Sequence, residues 1–156
     1  RSQFLTDTKG TGIMNTLFDS YQPWAGNISH RQSGVLIADR PGKITTYASL
    51  GMVDRGELYL EVGTEVYKGM VLGKRNRPDD LDVNITKEKK LTNMRASSSD
   101  ATVVLRPPQN LYLDQCIEFI AEDELIEISP KNIRMRKMEL DSNKRISAAK
   151  KKKEGK

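Results

Sequence analysis

The sequence predicts an α+β fold, a β-rich small antiparallel sheet or barrel with one or two short helices, followed by a basic tail. Short β-prone runs separated by glycine-rich or polar turns fill the middle of the chain. The segment from Leu113 to Ala121 repeats its apolar residues at helical spacing. Residues 144–156 are dominated by lysine, which is typical of a solvated tail.

Size and composition set the limits of the fold. A chain of 156 residues allows one domain, or one domain plus a piece of another. With 37% apolar and 30% charged residues and no long apolar run, it is expected to lack a membrane span. One cysteine, Cys116, cannot form an internal disulfide, so a reducing compartment, the cytoplasm, is expected. The chain lacks an initiator Met and a secretory profile, and we expect it to be part of a longer protein.

The first 33 residues predict the end of one structural unit. Lys9-Gly10 is a helix-ending pair, so a helix is expected from Arg1 to Thr8. Alternating apolar residues predict a strand from Ile13 to Tyr21, before Pro23. A polar connector follows, and a domain boundary is expected near Gly34.

The middle of the chain predicts the sheet. Residues 35–37 and 44–47 flank the turn sequence Arg40-Pro41-Gly42, which favours a hairpin. Three further β-prone runs, at 58–62, 70–72 and 102–105, predict additional strands.

The last third predicts a helix, a hairpin and a second helix. Leu113, Ile117, Ile120 and Ala121 share a helix face, with Asp114 near the positive N-terminal end. Alternating residues at 124–128 and 132–137, around Ser129-Pro130, predict a hairpin. We expect Asp141 to cap a helix that reaches Ala149, with residues 150–153 frayed.

Charge is distributed unevenly. Residues 114–130 carry six acids and no base, whereas residues 131–156 carry eleven bases and three acids. The net charge of +5 favours an anionic partner. The acidic residues lack the spacing of a calcium-binding loop, so we interpret them as a solvated face.

The residues needed for catalysis are scarce. His30 is the only histidine and has no evident orienting partner, so we interpret it as solvated or structural. Cys116 is interpreted as a packed thiol, and no cysteine and histidine cluster exists for a zinc site. Gly10-Thr11-Gly12 lacks the Gly-Lys-Ser/Thr ending of a phosphate loop and is interpreted as a turn. We therefore expect no catalytic residues, no metal and no cofactor in this chain.

Residues 87–99, here called the basic loop, carry the strongest functional signal. They contain four bases, one acid and three consecutive serines without a sustained period. Such residues offer charge to phosphates and neutral donors to sugar oxygens, although a merely solvated charged loop has the same composition. The predicted RNA-binding residues are Lys87, Lys89, Lys90, Thr92, Asn93, Arg95, Ser97 and Ser98. Accessory basic contacts are expected from Lys74, Arg75, Arg77, Lys131, Arg134, Arg136, Lys144 and Arg145.

Several motifs together resemble one protein family across nearly all the chain, from Arg1 to about Arg145. The most specific is the stretch Lys-Lys-Leu-Thr-Asn-Met-Arg-Ala-Ser at 89–97. Supporting matches are Gly-Thr-Gly at 10–12, Asp-Arg-Gly at 54–56, Glu-Val-Tyr-Lys-Gly-Met at 65–70 and Phe-Ile-Ala-Glu-Asp-Glu-Leu at 119–125. The chain thus resembles the carboxyl-terminal region of the BipA/TypA translational GTPases. It departs from their pattern at Tyr112, where a capping Ser or Thr is usual, and in its lysine-rich end.

The resemblance implies two domains. Residues 1–33 would be the terminal helix turn and strand of a ferredoxin-like domain, similar to the fifth domain of elongation factor G, and residues 34–138 would be the β-rich family-specific domain. Residues 139–156 are predicted from the Asp141 cap and the lysine run, without the resemblance, to be a basic helix with a frayed lysine tail. The family domain docks in the ribosomal A site, so the basic loop would approach the acceptor end of A-site tRNA and 23S-type rRNA. Lys89, Lys90 and Arg95 would bind phosphates, and Asn93 would make directional hydrogen bonds.

The resemblance also implies what other parts of the parent protein do. GTP hydrolysis, with its GTP and magnesium, belongs to the family's amino-terminal domain. The parent would act in ribosome assembly and in stress or cold adaptation, as a monomer in bacterial cytoplasm or plastid stroma. An alternative is a protein-interaction module that recruits a ribosomal protein or an assembly factor.

Overall fold

A computed structural model of the chain describes residues 2–24, 26, 31–89, 105 and 107–154. The helices are α1 (Ser2–Asp7), α2 (Thr46–Leu50), α3 (Leu113–Phe119) and α4 (Ser142–Glu154). The strands are β1 (Val35–Ala38), β2 (Gly42–Lys43), β3 (Gly56–Leu58), β4 (Glu65–Val66), β5 (Val71–Arg75), β6 (Leu81–Val83), β7 (Glu124–Ile128) and β8 (Ile133–Lys137). The predicted α+β class is confirmed, with small, open sheets.

A four-stranded sheet in the order β3-β5-β1-β6 organises the core. Strand β1 pairs antiparallel with β5 and parallel with β6, and all four of its residues are fully buried. Such a continuous apolar run suits a strand covered on both faces. Leu36 and Ala38 pack into one apolar cluster with Ile44, Met70, Leu72 and Ile85. Val35 and Ile37 pack into a second cluster with Tyr59, Val71, Cys116 and Met135.

The predicted hairpin around Ser129-Pro130 is confirmed, and it joins the main sheet. Strands β7 and β8 pair antiparallel from Glu124 opposite Lys137 to Ile128 opposite Ile133. The Lys137 amide donates to the Gly69 carbonyl at 2.9 Å. Gly69 has φ +84, and a Cβ there would lie 2.8 Å from the Leu140 Cα. Glycine is therefore required where the hairpin and the sheet meet.

An ionic cluster around two buried side chains, those of Glu124 and Lys137, lies beside this junction. It consists of Arg31, Asp80, Asp123, Glu124 and Lys137. The Lys137 side chain is 1% exposed, and its Nζ lies 2.6 Å from Asp80, 2.8 Å from Asp123 and 2.9 Å from Glu124. Arg31 donates to both carboxylate oxygens of Glu124, each at 2.8 Å. The interpretation of the acids as a solvated face is therefore wrong for Glu124, whose side chain is fully buried.

The N-terminal predictions have mixed outcomes. Helix α1 is present and ends as predicted, with Lys9 at φ 51 and Gly10 at φ 78. The strand predicted from Ile13 to Tyr21 is wrong for this structure, because residues 11–24 form no regular secondary structure. Leu17 and Tyr21 are each 95% exposed. A strand needs a hydrogen-bonded neighbour, and none of the strands in the described residues pairs with this segment.

The predicted hairpin around Arg40-Pro41-Gly42 is also wrong. Strand β1 pairs with β5 and β6 instead, and residues 46–50 form α2. The reason is local, since Thr45 caps this helix by accepting from the Ala48 amide at 3.2 Å. The runs at 58–62 and 70–72 correspond in part to β3 and β5. Of the run at 102–105, only Leu105 is described, and it has no regular structure.

The two C-terminal helices are confirmed with changes. Helix α3 begins after Tyr112 without a capping Ser or Thr, and the Gln115 side chain accepts from the Tyr112 amide at 3.0 Å. It packs through Cys116 and Phe119, whereas Ile117 is 59% exposed, so the predicted apolar face is rotated. Asp141 accepts from the Asn143 amide and caps α4. Residues 150–153 continue this helix to Glu154, so the predicted fraying is wrong.

The ionic cluster makes stability depend on pH. Burial opposes the charge on Glu124, but hydrogen bonds from Arg31, Lys137 and the Ala121 amide hold its pKa below the ordinary value. A carboxylate whose pKa is depressed in the folded state stabilises the fold above its unfolded pKa of about 4.3. That contribution is lost as pH falls through the folded pKa. The contribution of Lys137 to stability has the opposite pH dependence, because the pKa of Lys137 is raised in the folded state. That contribution is lost as pH rises through the raised pKa.

We predict that Glu124→Gln lowers the free energy of unfolding by about 3–5 kcal/mol at neutral pH, because it leaves two buried cations without their shared carboxylate. Urea unfolding between about pH 3 and 7 would measure this, and the acid dependence of the variant should be shallower than that of the original chain. Glu122→Gln is the matched control, since Glu122 is an exposed acid nearby in sequence. Equal stability of the two variants would contradict a structural role for the cluster.

Candidate nucleic-acid interface

The basic loop leaves the core at a fixed point. Ile85 is fully buried, and its carbonyl accepts from the Thr45 amide at 3.1 Å. The Thr45 hydroxyl donates to the Lys87 carbonyl at 2.5 Å. The same hydroxyl accepts from the Ala48 amide in the first turn of α2. One threonine therefore ties the start of the loop to the start of a helix.

The chain returns from the loop beside the same helix. The Gln109 amide donates to the Leu58 carbonyl of β3 at 3.2 Å. Leu105 and Pro107 line a cavity of about 200 Å³ together with Ser49 and Val53, which lie on and just after α2. The described residues on either side of positions 90–104 therefore both contact α2 or the residues next to it.

The predicted loop residues fall into two groups. Lys87 and Lys89 are described, and both are exposed where the loop leaves the core. The Lys87 ammonium lies 5.9 Å from the ring centroid of Tyr47, which is 44% exposed. The others, Lys90, Thr92, Asn93, Arg95, Ser97 and Ser98, lie outside the described residues.

The predicted accessory bases are not equivalent. Lys74, Arg77, Lys131 and Lys144 are exposed, and Arg134 is half-buried. Arg75 is 9% exposed and donates to the Asp79 carboxylate at 2.5 Å and to the Asp79 carbonyl at 2.7 Å. Arg75 is therefore a structural residue of the turn after β5, not an accessible contact, because burial and an internal acid occupy its guanidinium.

Two further arginines are also held internally. Arg136 donates to the Glu127 carboxylate at 2.6 Å, and Glu127 in turn accepts from the Tyr67 hydroxyl at 2.5 Å. Arg145 donates to Asp82 and to the carbonyls of Glu139 and Leu140. These pairings orient α4 and β8, so the exposed lysines are better placed to meet an external anion.

The other candidate residues are also placed. Cys116 is 3% exposed in the second apolar cluster, which confirms the packed thiol, and burial raises its pKa. His30 lies outside the described residues. Among the described residues, no three His, Cys, Asp or Glu side chains converge as a metal site would require. The described residues also contain no helix that is long and apolar enough to cross a membrane.

Sequence reasoning missed Thr45, Tyr47 and Arg31. Thr45-Thr46-Tyr47 has high β propensity, which concealed a helix of only five residues. The available signal was Thr45 itself, since threonine is a favoured cap residue. Arg31 lies in a polar stretch that gives no local sign of a partner, since Glu124 is 93 positions away.

Comparison with known proteins gives one consistent result. The family model described as TypA/BipA C-terminal domain matches residues 33–142. The chain is 45% identical over 97% of its length to "Large ribosomal subunit assembly factor BipA" of Bacillus subtilis, covering 25% of that protein. It is 49% identical over 86% of its length to "Putative elongation factor TypA-like SVR3, chloroplastic" of Arabidopsis thaliana, covering 20%. A relative from Escherichia coli K12 is also named "Large ribosomal subunit assembly factor BipA". The present chain is 47% identical to it over 95% of its own length, covering 24% of that protein. The chain therefore spans about a quarter of the length of these relatives.

We predict that Thr45→Val lowers the free energy of unfolding by about 1 kcal/mol, because it removes the helix cap. It should also accelerate hydrogen exchange at the Ala48 amide, which loses its acceptor. Thr45→Ser keeps the hydroxyl and should retain both properties. Thr46→Val, which removes an exposed neighbouring hydroxyl, is the matched control. Similar exchange in Thr45→Val and Thr46→Val would show that the hydroxyl does not hold this segment.

Proposed function

The chain belongs to the TypA/BipA C-terminal domain family, and from that premise we propose that it is the non-catalytic, RNA-binding part of a translational GTPase that docks on the ribosome. The names of the relatives support a ribosomal role, since two of them are called assembly factors of the large ribosomal subunit. The charge of the chain supports RNA as the partner, because phosphates are the largest source of negative charge on a ribosome.

The observation that carries this proposal is the anchoring of the basic loop. The loop carries four bases and one acid, its first residue Lys87 accepts from the Thr45 hydroxyl beside α2, and Lys87 and Lys89 are both exposed. A loop that is attached to a rigid part of the domain loses less conformational entropy on binding than a segment with free ends. Charge then supplies affinity for phosphates, while the fixed exit point supplies placement.

The finer assignment follows the family resemblance. The loop would lie beside the acceptor end of A-site tRNA and the nearby 23S-type rRNA. Lys89, Lys90 and Arg95 would bind phosphates, and Asn93 would make directional hydrogen bonds. Thr92, Ser97 and Ser98 would donate to sugar or phosphate oxygens.

The remaining activities belong to the parent protein under this proposal. GTP and magnesium would bind in a separate amino-terminal domain, which would set when the present part engages the ribosome. The parent would act as a monomer in ribosome assembly, including stress or cold adaptation. Its setting would be bacterial cytoplasm or plastid stroma, in accord with bacterial and chloroplastic relatives.

A protein-interaction module is the second candidate, and one observation favours it. Leu113 and Ile117 lie four residues apart on one face of α3, and they are 38% and 59% exposed. Tyr112 beside them is 74% exposed. An exposed apolar stripe of this kind suits a protein partner better than it suits phosphates.

We predict that changing Lys89, Lys90, Asn93 and Arg95 to Ala abolishes cosedimentation with ribosomes at moderate salt. Each lost phosphate contact should also reduce the slope of log affinity against log salt by roughly 0.7 to 0.9, on the scale of simple nucleic acids. A chain ending at Ala149, which removes the lysine run, should retain binding if that run is accessory.

The matched control changes Arg40, Lys43 and Arg55 to Ala. It removes the same number of positive charges from exposed positions outside the loop. Binding that is lost equally in both variants would indicate a general charge effect without a loop site. Binding that survives in the loop variant but is lost after Leu113 and Ile117 are changed to Ser would support the protein-interaction module.

A further inference from the structure

Tyr47 is an aromatic residue that the core does not use. Helix α2 buries Ala48 and Ser49, which are 4% and 2% exposed, and leaves Tyr47 44% exposed. Tyr59, by contrast, is 8% exposed and packs edge-on against Phe119 at 5.3 Å between ring centroids. Packing therefore explains Tyr59 but does not explain why an aromatic ring occupies position 47.

The backbone holds this ring beside the start of the basic loop. Thr45 accepts from Ala48 and thereby fixes the helical turn that contains Tyr47. Thr45 also donates to the Lys87 carbonyl and to the Ile85 carbonyl through its hydroxyl and amide. The main chain at Lys87 and the helical turn that contains Tyr47 are thus both held by hydrogen bonds to Thr45, before any ligand binds.

The ring and the ammonium group match the two parts of one nucleotide. The Lys87 Nζ lies 5.9 Å from the Tyr47 ring centroid, and exposed Lys89 follows two residues later. A nucleotide joins a flat base to an anionic phosphate through one sugar. Unpaired bases stack on aromatic side chains, and neighbouring lysines bind the phosphates. The intervening acid, Glu88, is exposed and reduces the local positive charge without removing it.

We propose that Tyr47, together with Lys87, forms a stacking site for an unpaired nucleobase of RNA at the point where the basic loop leaves the core. The site rests on the proposed function, since both require RNA as the partner. It adds a preference for single-stranded or splayed-out nucleotides. A base-paired helix of A form hides its base faces by stacking, so its bases are inaccessible to Tyr47.

A purely local role for the pair makes a different prediction. A cation and an aromatic ring at an exposed site stabilise each other by about 0.5–1 kcal/mol. If that were their whole role, removing the ring would slightly lower stability and leave RNA binding unchanged. Replacing the ring therefore separates the two roles.

The test measures binding of the 156-residue chain to a labelled single-stranded oligouridylate of about 12 nucleotides and to an RNA duplex of similar length by fluorescence anisotropy. Tyr47→Leu should weaken single-strand binding about tenfold and leave duplex binding nearly unchanged. Tyr47→Phe keeps the ring and should bind like the original chain. Lys87→Met should weaken the binding of both RNAs and reduce the salt dependence of their affinity. Tyr47→Leu should leave the slope of log affinity against log salt unchanged.

Tyr112→Leu is the matched control, because Tyr112 is also an exposed tyrosine but lies at the start of α3. Thermal unfolding of each variant checks that the fold is retained. The inference is overturned if Tyr47→Leu binds single-stranded RNA as well as the original chain, or if the original chain does not bind it. It is also overturned if Tyr47→Phe loses as much affinity as Tyr47→Leu. In each case, loop-dependent cosedimentation with ribosomes would show that the proposed function still stands.

Discussion

A carboxylate buried between two cations joins parts of this domain that are far apart in sequence. Glu124 accepts from Arg31 in the segment before β1, from Lys137 at the end of β8 and from the Ala121 amide. Lys137 then reaches Asp80, whose other oxygen accepts from the Val35 amide at the start of β1. Each buried charge has several partners, which is the condition for keeping charges out of water. These ion pairs and hydrogen bonds therefore fix the segment before β1, strand β1 and the β7–β8 hairpin relative to one another.

A single residue with two partners also holds the start of the basic loop. Thr45 uses one hydroxyl both as the cap of α2 and as the donor to Lys87. A segment rich in like charges gains little order from its own sequence, because like charges repel and few apolar residues are available to form a core. Its placement must come from the elements at its ends. Here those elements are α2, β3 and the buried Ile85.

Local patterns predicted the elements whose stabilising contacts are close in sequence. The β7–β8 hairpin, α3 and the Asp141 cap depend on neighbours within a few residues, and all three are present. The pairing of β1 was not predictable in this way, because its partners β5 and β6 lie more than thirty positions away. The burial of Glu124 was not predictable for the same reason. Its acidic sequence neighbours do not indicate that an arginine far away in the sequence pairs with it. For the candidate site, the sequence indicated the basic loop, but it could not indicate the ring beside it.

Net charge alone is a poor guide to where this chain meets an anion. Arg75, Arg136 and Arg145 contribute to the formal charge of +5, yet each donates to an acid of this chain and to at least one main-chain carbonyl. Their planar, multiply donating guanidinium groups suit such fixed internal geometry. Lysines dominate the exposed bases instead, among them Lys74, Lys87, Lys89, Lys131 and Lys144. A compact ammonium group on a flexible stem suits phosphates whose positions vary along a backbone. Specific placement must then come from groups with a fixed direction, and at the exit of the basic loop the ring of Tyr47 is such a group.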